Sequence, residues 1–144
     1  MPSESARPRL KVLLAEDNLP DALLVREAIK KEDLPVEVYM ATDGEQALEF
    51  LERAEKDPDA PSPHALLLDL NLPKVDGIEV LRKIRAGEKF RDIPVIVITS
   101  SDSPADRSES TRLGAGYFRK PPVYLEFLKI GVTLRRFLEA HGLL

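Results

Sequence analysis

No cysteine occurs anywhere in the 144 residues, which excludes disulfides, thiolate metal ligands and cysteine nucleophiles together. Histidine is nearly as scarce: His64 and His141 stand far apart and leave little room for an imidazole cluster. No apolar run approaches the roughly 18 residues that a membrane-spanning helix requires. Neither a G-x-G-x-x-G sequence nor a glycine-rich loop ending in lysine and serine or threonine is present, so the common nucleotide-binding loops are missing. Positive charge is in deficit, with a net charge of −4, and this argues against a broad phosphate-binding surface and hence against direct nucleic-acid binding. What remains for chemistry is carboxylates, hydroxyls and lysines.

The amino-terminal "MPSESARPR" is polar and proline-bearing and has no apolar signal core, so residues 1–9 are expected to form a short disordered lead and the chain to reside in the cytoplasm. Residues 10–144 are expected to make one domain, with no room for a second. Along that stretch, short apolar runs alternate with longer segments of helical periodicity. "LKVLLA" (10–15) reads as a buried strand. "PDALLVREAIKK" follows as a helix with Leu23, Leu24, Ala28 and Ile29 facing inward. "VEVYMA" (36–41) alternates like a strand at a sheet edge, and "GEQALEFLERAEK" (44–56) places Ala47, Leu48, Leu51 and Ala54 on one face. A proline-rich loop leads to "ALLLD", followed by a helix over 78–86 with Ile78, Leu81 and Ile84 inward. "PVIVIT" (94–99) precedes a weak helix after Ser103, and "YFRK" (117–120) precedes a last helix from Tyr124 to Ala140. Strands without alternation, each followed by a helix, imply an α/β fold with a parallel sheet covered on both faces.

Ligands of such sheets bind beyond the carboxyl ends of the strands. Glu16 and Asp17 follow the first strand, Asp69 ends the third, Thr99 and Ser100 the fourth, and Lys120 the fifth. Carboxylates gathered this closely repel one another unless a cation sits among them, and an oxygen-only set suits Mg²⁺. In that setting Asp69, at the tip of the apolar run in "LLLDLNLPKVDG", reads as a nucleophile beside a divalent cation, with Lys120 and the Thr99 hydroxyl aimed at the oxygens of an incoming phosphoryl group. Each residue alone has a plainer explanation. Asp69 could be a turn former or helix cap, the "ED" pair a first-turn charge, Thr99 an ordinary strand residue, Tyr117 a core aromatic and Lys120 an exposed lysine. The joint placement after strands 1, 3, 4 and 5 argues against those explanations.

From about Leu10 to Leu138 the chain resembles the receiver domain of two-component response regulators, on "LLAEDN", "LLLDLNLPKVDG", "VIVITSSD" and "GAGYFRKP". The resemblance implies a flavodoxin-like (βα)5 fold with strand order 2-1-3-4-5. It also implies phosphorylation of Asp69 by a sensor histidine kinase, and Mg²⁺ held by Glu16, Asp17, Asp69 and the backbone carbonyl of Asn71. Thr99 and Tyr117 fall on the switch positions, Lys120 on the catalytic lysine, and Asn71 and Ser101 on the positions that tune phosphoryl lifetime. A cis bond between Lys120 and Pro121 is implied as well. Such a domain is no enzyme beyond catalysing its own phosphorylation and dephosphorylation. The opening "AEDN" and the proline-rich insertion are similar to the small regulators of bacterial phytochrome kinases, which makes a phytochrome a candidate partner.

Output is expected through protein contact, to a downstream protein or phosphotransfer target, on the face of helix 4, strand 5 and helix 5. On the last helix, Phe127, Ile130, Leu134 and Leu138 suit the core, while Leu125, Leu128 and Val132 fall on a second stripe that would serve a homodimer or partner interface. Rival readings are a receiver-like adaptor that is never phosphorylated and an aspartate-nucleophile phosphatase. The phosphatase would need a second aspartate where Asn71 stands. A flavodoxin-type FMN carrier is opposed by the three acids in "AEDNLPD", which would repel the cofactor's phosphate.

Overall fold

The computed structural model describes residues 9–144. Five strand-then-helix units follow one another: β1 (Leu10–Ala15) and α1 (Leu19–Lys31), β2 (Val36–Ala41) and α2 (Gly44–Lys56), β3 (Ala65–Leu68) and α3 (Gly77–Ala86), β4 (Val95–Thr99) and α4 (Pro104–Arg112), then β5 (Gly116–Arg119) with α5 (Tyr124–Phe127) and α6 (Ile130–Ala140). All strand pairs are parallel, in the order β2-β1-β3-β4-β5, so the flavodoxin-like α/β architecture is realised. The lead expected over residues 1–9 lies, Arg9 apart, outside the described residues.

The strands lack polar alternation because both of their faces are buried. Val12, Leu14, Leu67, Ile96 and Ile98 point to the layer formed by α1 and α6, against Val25, Ile29, Ile130, Leu134 and Leu138. Their neighbours Leu13, Leu66, Leu68, Val95 and Val97 point to the opposite layer, against Ala47, Leu51, Val80, Leu81 and Ile84 of α2 and α3. Side-chain caps set the starts of four helices: Asn18, Asp43, Asp76 and Ser103 each accept from a backbone N–H three residues on. No helix among the described residues is long and apolar enough to cross a membrane.

Two helical expectations are corrected. On α1 the buried face is Ala22, Val25, Ala28 and Ile29, while Leu23 is exposed and Leu24 half-buried. The close seat of α6 on α1 turns Ala28 and Val25 toward the core. The continuous helix expected over Tyr124 to Ala140 is broken at Leu128 and Lys129. There the bonds from Lys129 N to Glu126 O and from Gly131 N to Leu128 O span three residues, a tighter 3₁₀-like turn that re-aims the chain before α6. That turn carries Leu128 into the core beside Phe127.

The α1–α6 crossing depends on a missing side chain. A Cβ at Gly131 would stand 2.6 Å from the carbonyl oxygen of Ala28, which is fixed helix backbone. Replacing glycine by alanine gains about 1 kcal/mol of helix propensity, but overpacking a fixed contact costs about 1–3 kcal/mol. Gly131→Ala is therefore expected to lower stability, read as a reduced midpoint in urea; an unchanged or higher midpoint would show that α6 can back away freely.

Candidate functional site

Parallel pairing carries the carboxyl ends of β1, β3, β4 and β5 to one edge. Ala15 pairs with Leu68, and the next backbone step, from Asp69 N to Ala15 O at 3.0 Å, sets the Asp69 segment against that of Glu16. At the other side Lys120 N donates to Thr99 O at 2.7 Å, extending the β4–β5 ladder by one residue. Chain connections leave β1 toward β2 on one side and reach β3 on the other, so this edge contains the switch point where doubly wound sheets form a crevice.

One ammonium group organises the crevice. Lys120 Nζ lies 2.8 Å from Glu16 Oε1, 2.8 Å from Asp21 Oδ2 and 2.9 Å from Asp69 Oδ2. Glu16 and Asp69 are buried, with 2% and 4% of their surfaces exposed. Burial, then the hydrogen bond and negative charge of Asp69, push the Glu16 carboxyl up to about 7 against the pull of Lys120. Burial also works to discharge Lys120, but hydrogen bonds to Asp21, Glu16 and Asp69 outweigh it, and its pKa is raised. The remaining carboxylate oxygens are held by backbone: Asn71 N donates to Asp69 Oδ1 at 3.0 Å, and Asn18 N to Glu16 Oε2 at 3.1 Å. The turn after Asp69 folds tightly back on the start of α3. A Cβ at Gly77 would meet the Asp69 carbonyl oxygen at 2.3 Å, so only glycine fits beneath that turn.

Glu16, Asp17 and Asp69 each bring one carboxylate oxygen within 4.8 Å of the others, with Asp17 exposed at the mouth. Three hard, anionic oxygen donors open to solvent on one side fit a divalent cation that keeps part of its water shell. Asn71, exposed just beyond Asp69, lies next to this cluster.

Thr99 is fully buried, and its Oγ1 accepts from Ser101 N at 3.1 Å. The Ser101 carbonyl in turn accepts from the Tyr117 hydroxyl at 2.9 Å, and Ser101 Oγ donates to Asp106 Oδ2 at 3.0 Å and accepts from Ser103 N. Thr99, Ser101, Tyr117 and the first turn of α4 thus form one hydrogen-bonded chain. Arg107 of α4 stacks over the Tyr117 ring at 4.8 Å, and burial raises the pKa of the phenol.

Three expectations need correction or addition. No cis peptide bond occurs among the described residues, so the Lys120–Pro121 bond is trans, and the lysine reaches its carboxylates from that geometry. The stripe of Leu125, Leu128 and Val132 does not exist as a surface: Leu125 is 66% exposed, Val132 is half-buried and Leu128 is buried in the core, because the turn before α6 rotates it inward. Asp21, counted in the sequence only among the acids that would repel a cofactor phosphate, contributes a third carboxylate to Lys120. In sequence it stands as a first-turn acid after the Asn18 cap, which the helix dipole alone explains.

The family model described as the response regulator receiver domain matches residues 12–128. The chain is 38% identical over 104 residues to the response regulator Rcp1 of Synechocystis sp., covering 72% of this chain and 71% of that protein. It superposes with a TM-score of 0.82 on the phosphorylated cyanobacterial phytochrome response regulator RcpA, at 34% identity over 90% of this chain and 94% of the other. The Mn²⁺-bound form of Rcp1 is similar at a TM-score of 0.81, 34% identity and the same coverage.

A ligand that binds only the folded state stabilises it by about 2.7 kcal/mol at a hundred times its Kd. A divalent cation is therefore expected to raise the melting temperature in a saturable way, and Asp17→Asn to remove most of that rise while leaving the metal-free melting temperature close to wild type. Equal metal-induced shifts in both proteins would place the cation elsewhere.

Proposed function

The chain belongs to the family of response regulator receiver domains, which signal through an aspartate phosphorylated by a partner histidine kinase, and on that premise we propose that Asp69 is its phosphoacceptor. The observation that carries this assignment is the 2.9 Å contact between Asp69 Oδ2 and Lys120 Nζ inside a crevice that also holds Glu16 and Asp17. A carboxylate oxygen of Asp69 forms the new P–O bond, the P–N bond to the donor imidazole breaks, and the imidazole leaves with the electron pair and takes up a proton. Glu16, Asp17, Asp69 and the Asn71 carbonyl are the residues to hold Mg²⁺, which when bound neutralises phosphoryl oxygens during transfer. Lys120 supplies a second positive charge, held against Asp69 and Glu16. Hydrolysis of the acyl phosphate by water returns the carboxylate and inorganic phosphate, and Asn71 and Ser101 tune the rate of that step in this reading.

The Thr99 hydroxyl turns toward a phosphoryl oxygen in this reading. Its bond to Ser101 N is the first link to Tyr117 and α4, so a change at Thr99 is transmitted through Ser101. The phosphoryl group biases an existing equilibrium by its different contacts in the two states. The readout is contact with another protein on the face of α4, β5 and the α5–α6 segment, and the partners are a phytochrome-type histidine kinase in the cytoplasm and a downstream protein or phosphotransfer target. A homodimer is part of the same proposal, through the exposed Leu125, since Leu128 is withdrawn into the core and Val132 is half-buried. The phosphatase alternative loses support from the amide at Asn71, which cannot serve as the general acid such a reaction needs. The unphosphorylated adaptor has no use for the buried acids, whose desolvation is costly.

Incubation with acetyl phosphate is expected to add one phosphoryl group to the intact mass in the presence of Mg²⁺, and neither chelated protein nor Asp69→Asn should show the adduct. An adduct that persists in Asp69→Asn would move the phosphoacceptor to another residue. For the dimer, Leu125→Glu is expected to reduce the hydrodynamic size of the phosphorylated protein to that of a monomer; an unchanged size would remove Leu125 from any self-contact.

A further inference from the structure

Lys120 is a side chain with three N–H donors, and in this structure each has its own carboxylate: Glu16, Asp21 and Asp69. The three partners differ in what else they do. Glu16 and Asp69 belong to the cluster that can ligate a cation, and Asp69 is the residue to be phosphorylated in the reading above. Both would share their oxygens with a cation, and Asp69 with the phosphoryl group, once the site is loaded. Asp21 lies outside that cluster, on the first turn of α1, where its backbone N–H is fixed by the Asn18 cap. Its side chain is 24% exposed and, with Lys120, lines a cavity of about 500 Å³ that opens beside the crevice between α1 and the segment from Pro121 to Tyr124.

We propose that Asp21 is a positioning residue for Lys120, the one anchor that holds the ammonium in place while its other two carboxylates exchange lysine for cation and phosphoryl group. Because three donors face three acceptors, Asp21 withdraws no donor from Asp69; it fixes the direction of the other two. A lysine is a flexible four-carbon stem carrying a point charge, unlike the rigid fork of arginine, so it needs such an anchor to present its charge at a defined point. The rigid end of a helix supplies that anchor here. The preorganisation matters because transfer of a phosphoryl group depends on charges already in place before the reaction begins.

The kinetic part of the inference rests on the receiver reading, and the test separates the two. Phosphorylation by acetyl phosphate at saturating Mg²⁺ is expected to slow about tenfold in Asp21→Ala, the lower end for loss of a charge-assisted hydrogen bond because Asp21 is partly exposed. Asp21→Asn keeps an acceptor oxygen and is expected to lose about threefold, within the same principle. The decisive comparison is made in a Lys120→Ala background, where removing Asp21 should have no further effect. A helix-capping or purely structural role would give the same loss in both backgrounds and overturn the proposal, as would Asp21→Ala at the wild-type rate. An independent readout needs no phosphoryl chemistry: the Lys120 side-chain ammonium, followed by ¹⁵N NMR at low temperature, should give a slowly exchanging signal in the wild type that is lost in Asp21→Ala. Retention of that signal would overturn the inference. Failure of the wild type itself to accept a phosphoryl group would instead refute the receiver reading, leaving the NMR result to decide whether Asp21 orders Lys120.

Discussion

A single, largely enclosed ammonium, Lys120 Nζ, is the interaction on which the functional edge depends. Without it Glu16 and Asp69 would be like charges held together in a medium of low dielectric, where an unpaired buried charge is very unfavourable, with the partly exposed Asp21 close by. Buried ion pairs of this kind seldom add net stability, because desolvation offsets most of the attraction. The two apolar layers, not the ion cluster, therefore carry the fold. They fix the strands in register, and the register in turn forces the acids and the lysine together. An arrangement that the fold sustains without benefit to stability is an argument for chemistry at that spot.

Much of this was legible in the sequence because parallel sheets have strong signatures. Short non-alternating runs such as "LLL" before Asp69 and the β-branched "VIVI" before Thr99, each followed by a helical segment, fit strands buried on both faces, and once their ends are aligned the census of charged residues follows. The phase of a helix is harder to read. Leu23 and Val25 are both plausible inward residues of α1, and the choice is made by how closely α6 approaches at Gly131, which periodicity does not encode. Leu128 was misplaced for a similar reason: a continuous helix puts it on the outer stripe, and a single tight turn moves it inside. The pairing of Asp21 with Lys120 is not legible because the lysine stands 99 positions away, and local rules already account for an acid in a first helical turn.

The edges of the molecule differ in what fastens them. α1, α2, α3 and α6 are each held by several buried apolar side chains, whereas α4 contributes only Ser110 to the interior. What ties α4 down is polar: Arg82 of α3 bridges to Glu109 at 3.0 Å, Arg85 donates to the Leu113 carbonyl at 2.7 Å, and Ser101 reaches Asp106. Exposed ion pairs contribute little each. An element secured in this way belongs to the least stable part of the fold, which is where local rearrangements are drawn from.

That contrast explains how a small chemical change could be read at a distance without disturbing the core. A phosphoryl group can shift an equilibrium only by the difference in its contacts between two states. Rearranging α1 or α6 would break apolar packing around Leu134 and Ile130, well beyond what one hydroxyl contact supplies. Rearranging α4 exchanges hydrogen bonds and surface ion pairs for others of similar strength. The chain from Thr99 through Ser101 reaches that helix at Asp106, so the weakest-held element is also the one wired to the site. Energetic cheapness and connectivity coincide there, and the rigid α1–α6 side is left to hold Asp21 and Lys120 still.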